Sequence, residues 1–197
     1  ECGLGKTCIL ILAVCFVIGC SCSQESPTDL VKAEALASKQ HAKLVEFLKE
    51  SSGANIYDDG LDLNLYYGGS YLDDEKRLTI CCTTEDNLIV EAFREAAGSP
   101  YVAVKYVKFT KEELDSLKEE FAGLLKAYKV DEGLDEKEMK LVNDIMGYGV
   151  DVFTNQIRVS IRELDSDKEE LFNDLFDIFP IDCVRLEEGH KMTTTLR

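Results

Sequence analysis

The chain alternates between stretches with helical periodicity and stretches with strand periodicity. From Thr28 to about Ser51, apolar residues recur at spacings of three and four, which predicts one long amphipathic helix ending before Gly53. Its apolar positions are Leu30, Val31, Ala35, Leu44, Val45, Phe47 and Leu48. We expect this face to pack against the core of the folded body.

Residues 55–84 instead alternate between apolar and polar positions, as strands do. Leu61, Leu63 and Leu65 form one alternating run, which follows an Asp-Asp-Gly turn at residues 58–60. The segments 67–72 and 78–82 flank a second acidic turn. The pattern predicts strands that pair as hairpins.

Helix and strand signals continue to alternate further along the chain. A helix is expected from about residue 85 to 97, and a strand from 101 to 109. Thr110, with Glu113 three residues later, has the spacing of a capping box that begins the next helix. A short helix is then expected to end near residues 146–147.

The second half of the chain repeats the pattern of the first at a distance of 79 residues. The shift places the apolar positions Leu78, Ile80, Cys82, Ala92, Phe93, Val102 and Val104 on Ile157, Val159, Ile161, Leu171, Phe172, Ile181 and Cys183. Ser166, with Glu169 three residues later, is a sequence signal for the start of the helix in the second copy. The alternative to a repeat is that two unrelated α+β segments align by chance.

These patterns predict an α+β fold with an N-terminal helix and two ββαβ units, each with an antiparallel sheet, linked by helices. The first unit, with the N-terminal helix and the helix that follows it, is expected at residues 28–130. The second unit is expected at residues 131–190, and residues 191–197 form a tail.

The first nineteen residues have the layout of a secretory signal peptide. Lys6 precedes an apolar run from Cys8 to Ile18, and Gly19 ends it directly before Cys20. The run is shorter than the roughly 20 residues that a membrane-spanning helix needs. We therefore expect a signal that is cleaved.

The end of this segment resembles the lipobox of bacterial lipoproteins, in which a small residue precedes the cysteine that becomes lipidated. Val17, Ile18 and Gly19 fill the lipobox, and Cys20 would be the lipidated N-terminus. The resemblance implies a lipid anchor at the extracytoplasmic face of the cell membrane, with residues 20–27 as a tether. An ordinary secretory signal that releases a soluble protein is the alternative, and Cys22 is a second candidate acceptor.

The net charge of the chain limits the classes of partner that it is expected to bind. The formal net charge is −16 over 197 residues, and 45% of the residues are hydrophobic, enough for a packed core. An acidic surface repels phosphate groups, which argues against nucleic acid as a partner and against contact between the folded body and anionic lipids.

Three cysteines belong to the predicted folded body: Cys81, Cys82 and Cys183. Neighbouring residues of a strand point to opposite faces, so Cys81 and Cys82 are not both expected in the core. An odd count without CxxC spacing argues against a disulfide framework or a zinc site.

Two segments resemble the pro-regions of secreted trypsin-like bacterial proteases of the streptogrisin and α-lytic type. They are residues 67–74 with 77–80, and residues 149–159. The resemblance implies tandem ββαβ units that assist the folding of a protease and inhibit it. In that family, a sheet edge of one unit pairs with a hairpin of the protease, and the tail occupies the active site.

The sequence offers no constellation of catalytic residues. Its two histidines, His41 and His190, lie near no nucleophile turn, and we expect no cofactor and no metal. The leading hypothesis is a non-enzymatic extracytoplasmic lipoprotein that binds a protein partner through a sheet edge. A truncated precursor of a secreted serine protease is the second hypothesis, and an uncharacterised hydrolase is the third.

Overall fold

The computed structural model describes residues 27–51 and 61–189 of the chain. Its helices are α1 (Pro27–Ser51), α2 (Asn87–Ala96), α3 (Lys111–Tyr128), α4 (Glu136–Asp144) and α5 (Ser166–Leu175). Its strands are β1 (Tyr67–Leu72), β2 (Leu78–Cys82), β3 (Ala103–Tyr106), β4 (Ile145–Asp151), β5 (Gln156–Ile161) and β6 (Val184–Glu188). The α+β fold class is confirmed.

The described strands form two three-stranded sheets, ordered β1-β2-β3 and β4-β5-β6. In each sheet the first two strands form an antiparallel hairpin, but the third strand runs parallel to the central one. The prediction of wholly antiparallel sheets was therefore wrong. A helix crosses over between the second and third strands of each unit, and such a crossover returns the chain parallel to the strand it left.

The repeat extends to one helix on the N-terminal side of each hairpin, α1 in the first unit and α3 in the second. Buried residues of α1 and α3 follow the same spacing of seven and then four positions: Ala37, Leu44 and Leu48 in α1, and Leu114, Phe121 and Leu125 in α3. The α1 set packs in the core of the first sheet and the α3 set in the core of the second. The first unit is thus αββαβ, and the second has the additional helix α4 between α3 and its hairpin. Helix α3, which the sequence placed with residues 28–130, belongs to the core of the second sheet.

Each core lies between one face of its sheet and the helices that cover it, which are two in the first unit and three in the second, where α4 contributes Leu141 and Val142. In the first unit α1 and α2 cover Leu78, Ile80 and Cys82 of the central strand. In the second unit α3 and α5 cover Ile157, Val159 and Ile161, the residues that the shift of 79 positions aligned with them. Phe93 of α2 and Phe172 of α5 are also equivalent and buried.

The expected strand at Leu61, Leu63 and Leu65 is instead a 3₁₀ helix, Leu63–Tyr66. Asp62 caps it by accepting a hydrogen bond from the backbone N–H of Asn64 at 2.9 Å. The Asn64 side chain also donates to the Leu48 carbonyl at the end of α1, at 3.1 Å. The Asp62 cap and the bond from Asn64 to Leu48 hold this turn in place without a strand partner, which periodicity alone does not reveal.

The helix starts differ in how well the sequence predicted them. The capping box of Thr110 and Glu113 is present at the start of α3. At α5, the residue that caps the helix is Asp165 and not Ser166, because the Asp165 carboxylate accepts the backbone N–H of Lys168.

The repeat alignment fails near the last strand. Val102 is buried, with 4% of its surface exposed, whereas its predicted counterpart Ile181 is 83% exposed. Cys183, two residues later, is fully buried and packs in the second core. The connection from α5 to β6 therefore differs in length from the connection in the first unit.

Candidate functional site: the uncovered face and edge of the second sheet

Each sheet has a second face, opposite to the helices, that is called the back face here. The back face of the first sheet carries Gly69, Tyr71, Thr79, Cys81, Ala103 and Lys105, as the strand pairing requires. The back face of the second sheet carries Gly147, Gly149, Arg158, Ser160, Arg185 and Glu187. The two faces have equivalent backbones but different surroundings.

The tip of the second hairpin, residues 152–155, covers the back face of the first sheet. A Cβ atom added at Gly69 would lie 2.6 Å from the Val152 side chain, so glycine is required for this contact. The Lys105 ammonium donates a hydrogen bond of 2.8 Å to the Phe153 carbonyl. The rings of Tyr71 and Phe153 meet edge to face at 5.1 Å between centroids.

Asn155 fixes this tip to the segment that joins the two units. Its side-chain oxygen accepts the backbone N–H groups of Lys108 and Phe109 at 3.1 and 2.8 Å, and its amide donates to the Phe109 carbonyl at 2.8 Å. Asn155 is buried and has a φ of 57°, a left-handed conformation that asparagine tolerates better than most residues.

Coverage of both faces of β2 corrects the expectation for the cysteines. Cys81 and Cys82 are both fully buried, although they point to opposite faces of the sheet. Cys81 lies against the hairpin tip, with its sulfur 3.7 Å from the Val152 carbonyl oxygen. Burial raises the pKa of the Cys81 thiol to about 11, so the thiol is neutral and unreactive at ordinary pH.

The back face of the second sheet has no such cover among the described residues. A Cβ atom added at Gly147 or at Gly149 would meet nothing within 4 Å. Glu187 accepts a hydrogen bond of 2.8 Å from Ser160 and lies 3.5 Å from Arg158, whose side chain is 54% exposed. This face is a nearly bare stretch of backbone with charged groups beside it.

The same glycines lie on β4, which is an edge strand of the second sheet. Met146 and Tyr148 on this strand are 39% and 41% exposed, which is high for large apolar side chains. Tyr148 contacts Phe121 from the helix-covered side, so its ring covers the end of the core. An exposed edge strand presents backbone N–H and C=O groups that another strand can pair with.

A groove of about 880 Å³ lies between α1, β1 and α3. His41, Tyr67 and Lys111 are among its lining residues, and the Tyr67 hydroxyl lies 2.8 Å from the hydroxyl of Ser70. Burial raises the pKa of Tyr67. These groups form no nucleophile, base and oxyanion arrangement.

The residues with a predicted chemical role, Val17, Ile18, Gly19 and Cys20, lie outside the described part of the chain, as does His190. Within residues 27–51 and 61–189 the structure brings together no group of three or more metal-binding side chains. None of the helices described here is long and apolar enough to cross a membrane. The Gly-Tyr-Gly run of β4 was visible in the sequence, but its uncovered face was not.

No family model matches it, and no curated protein matches it significantly.

Proposed function

We propose that this protein is a non-enzymatic, lipid-anchored module that binds another extracytoplasmic protein through the β4 edge of its second sheet. The exposed edge strand with its two uncovered glycines is the observation that carries the proposal. The anchor would be the lipidated Cys20, and residues 20–27 would hold the folded units away from the membrane.

Strand addition suits β4 for two physical reasons. First, a partner strand that lies beside β4 would satisfy backbone groups that otherwise bind only water. Second, Met146 and Tyr148 offer apolar surface next to that edge, and each side chain has enough exposed area to gain from burial by a partner. Gly147 and Gly149 add no bulk that would keep a partner away.

Site-specific photo-crosslinking in the producing cells tests the proposal. A photoreactive residue at position 148 should form an adduct with one extracytoplasmic protein, and Met146→Lys should abolish the adduct because a lysine on an edge strand opposes strand pairing. The purified partner should then bind the wild-type chain and bind Met146→Lys at least about tenfold more weakly, equivalent to 1.4 kcal/mol.

Leu72 supplies the matched control, because it lies on the edge strand β1 of the first sheet and is 37% exposed. Leu72→Lys should leave binding unchanged, and a crosslinker at position 72 should not yield the same adduct. Equal adducts from positions 72 and 148, or a partner that binds Met146→Lys as tightly as the wild type, would remove the basis for the proposal.

A further inference from the structure

We infer that the tip of the second hairpin, residues 152–155, is a latch that leaves the back face of the first sheet while both hydrophobic cores stay folded. In the closed state the latch contacts Gly69, Tyr71 and Cys81, and its departure exposes that face to solvent. The inference concerns the junction between the two units and does not depend on protein binding at the β4 edge.

The two hydrophobic cores are separate, so each can keep its apolar side chains buried without the other. All described members of the first core come from residues 37–104, and all those of the second come from residues 109–186. Neither core therefore borrows a strand or helix from the other unit. Units built in this way can move relative to one another unless the interface between them is large and apolar.

The helices of the two units leave a groove between them. Helix α1 contributes His41 and Val45 to its lining, α3 contributes Lys111, Asp115 and Glu119, and the groove has a volume of about 880 Å³. Because open space lies between these helices, they add little packing to the junction. The latch is therefore a main contact that holds the units in place.

The latch buries little apolar surface. Of its two apolar side chains, Val152 is partly buried and Phe153 is 59% exposed. Its other contacts are polar: Asn155 bonds to the backbone of the joining segment, and the Phe153 carbonyl accepts from Lys105. Departure of the latch exposes far less apolar surface than unfolding of either core does, so it should need less free energy.

The burial of Cys81 depends on the latch, because this residue belongs to neither of the two described cores. Its sulfur lies 3.7 Å from the Val152 carbonyl oxygen. Cys82 belongs to the first core and Cys183 to the second, and all three are free thiols that are fully buried. Reaction at each thiol thus reports a different event: departure of the latch, unfolding of the first unit or unfolding of the second.

Pulsed thiol alkylation of the full chain, with each site read by tandem mass spectrometry, measures the three events without altering a cysteine. In the absence of denaturant, Cys81 should be labelled at least about tenfold faster than Cys82 and Cys183, because less structure has to open. The Cys81 rate should also depend less on urea, because the open state exposes less surface than an unfolded unit.

Two variants weaken the latch. Asn155→Ala removes three hydrogen bonds and should raise the labelling rate of Cys81 at least about tenfold. Phe153→Ala changes an exposed side chain, so the fold should remain intact. The loss of its ring contact with Tyr71 should raise the Cys81 rate about threefold.

Two matched variants weaken the cores and leave the latch unchanged. Ile80→Val and Ile157→Val each shorten a fully buried side chain, one in the first core and one in the second. They should raise the labelling rates of Cys82 and Cys183, respectively, about fivefold. Neither should change the Cys81 rate, because both cores are folded before and after the latch leaves.

Other outcomes would overturn the inference. A Cys81 rate that rises as much as the Cys82 rate in Ile80→Val would show that the first unit must unfold to expose Cys81. An unchanged Cys81 rate in both Asn155→Ala and Phe153→Ala would show that the latch does not protect this thiol. A Cys81 rate that increases with protein concentration would assign the opening to exchange of the tip between two copies. Met146→Lys should leave the Cys81 rate unchanged, so a failure of the edge proposal and a failure of this one are distinguishable.

Discussion

Asn155→Ala should destabilise the fold by weakening the attachment of the second hairpin tip to the segment that joins the two units. The asparagine side chain makes three hydrogen bonds to the backbone of Lys108 and Phe109, at 2.8 to 3.1 Å. Alanine would leave these backbone groups without their partner in a buried place. It would also have to adopt the left-handed φ of 57° that asparagine now holds.

The expected cost follows from these two effects. A net contribution of about 0.5–1.5 kcal/mol for each of three hydrogen bonds gives about 1.5–4.5 kcal/mol. The less favourable left-handed conformation adds about 1 kcal/mol. We therefore expect the free energy of unfolding to fall by about 2.5–5.5 kcal/mol, which lowers the urea midpoint by about 1.3–2.8 M for a slope of about 2 kcal/mol/M.

Urea unfolding followed by circular dichroism measures this change, and the first hairpin supplies a control. Lys76 has a φ of 60° in the turn of that hairpin, and its side chain is exposed. Lys76→Ala should change stability by less than about 0.5 kcal/mol, as is usual for surface substitutions. Asn155→Gly should recover about 1 kcal/mol relative to Asn155→Ala, because glycine adopts positive φ without strain.

The reasoning would be refuted if Asn155→Ala cost no more than Lys76→Ala. It would also be refuted if Asn155→Gly restored the stability of the wild type, because the hydrogen bonds would then contribute nothing.

Four further predictions concern other parts of the chain. Phe121→Ala, which removes a buried ring that meets four other rings, should cost about 3–5 kcal/mol in urea unfolding, and a loss below 1 kcal/mol would contradict the packing of α3 in the second core. Burial raises the pKa of the Cys81 thiol from 9.0 to about 11, so the stability that its neutral form contributes should be complete below about pH 9 and fall as the pH rises toward 11. Cys81→Ala should therefore reduce the dependence of the urea midpoint on pH in this range. Identical pH profiles for Cys81→Ala and the wild type would contradict the raised pKa. Thr154→Val should be neutral or stabilising, because the buried Thr154 hydroxyl has no hydrogen-bond partner in the described structure, and a loss above 1 kcal/mol would show that it has one. Cys20→Ala should release the protein from membranes, and mass spectrometry of the mature wild-type protein should show an acylated Cys20; an unmodified N-terminus beyond it would exclude the anchor.

Local sequence patterns were sufficient to predict most of the helices and strands. The capping box at Thr110 and Glu113 and the periodicity of α1 depend on neighbouring residues alone, and both were confirmed. The 3₁₀ helix at Leu63–Tyr66 was missed because its stability comes partly from the bond between Asn64 and Leu48, sixteen residues away.

The candidate site was predictable only in part. The repeat of 79 residues indicated two equivalent sheets, and the Gly-Tyr-Gly run of β4 indicated a strand with little side-chain bulk. Nothing in the local pattern distinguished Gly69, which Val152 covers, from Gly147, which no described residue covers. That difference depends on how the two units pack together.

The sequence by itself determined the α+β class, the two similar units and most helix and strand positions, because periodicity, caps and turns act over a few residues. The tertiary structure decided the parallel third strands, the place of α3 in the second core and the burial of both Cys81 and Cys82. It also decided that the second hairpin tip covers the back face of the first sheet, whereas no described residue lies within 4 Å of a Cβ atom added at Gly147 or Gly149 on the back face of the second. These features depend on contacts between residues far apart in the chain, which local patterns do not specify.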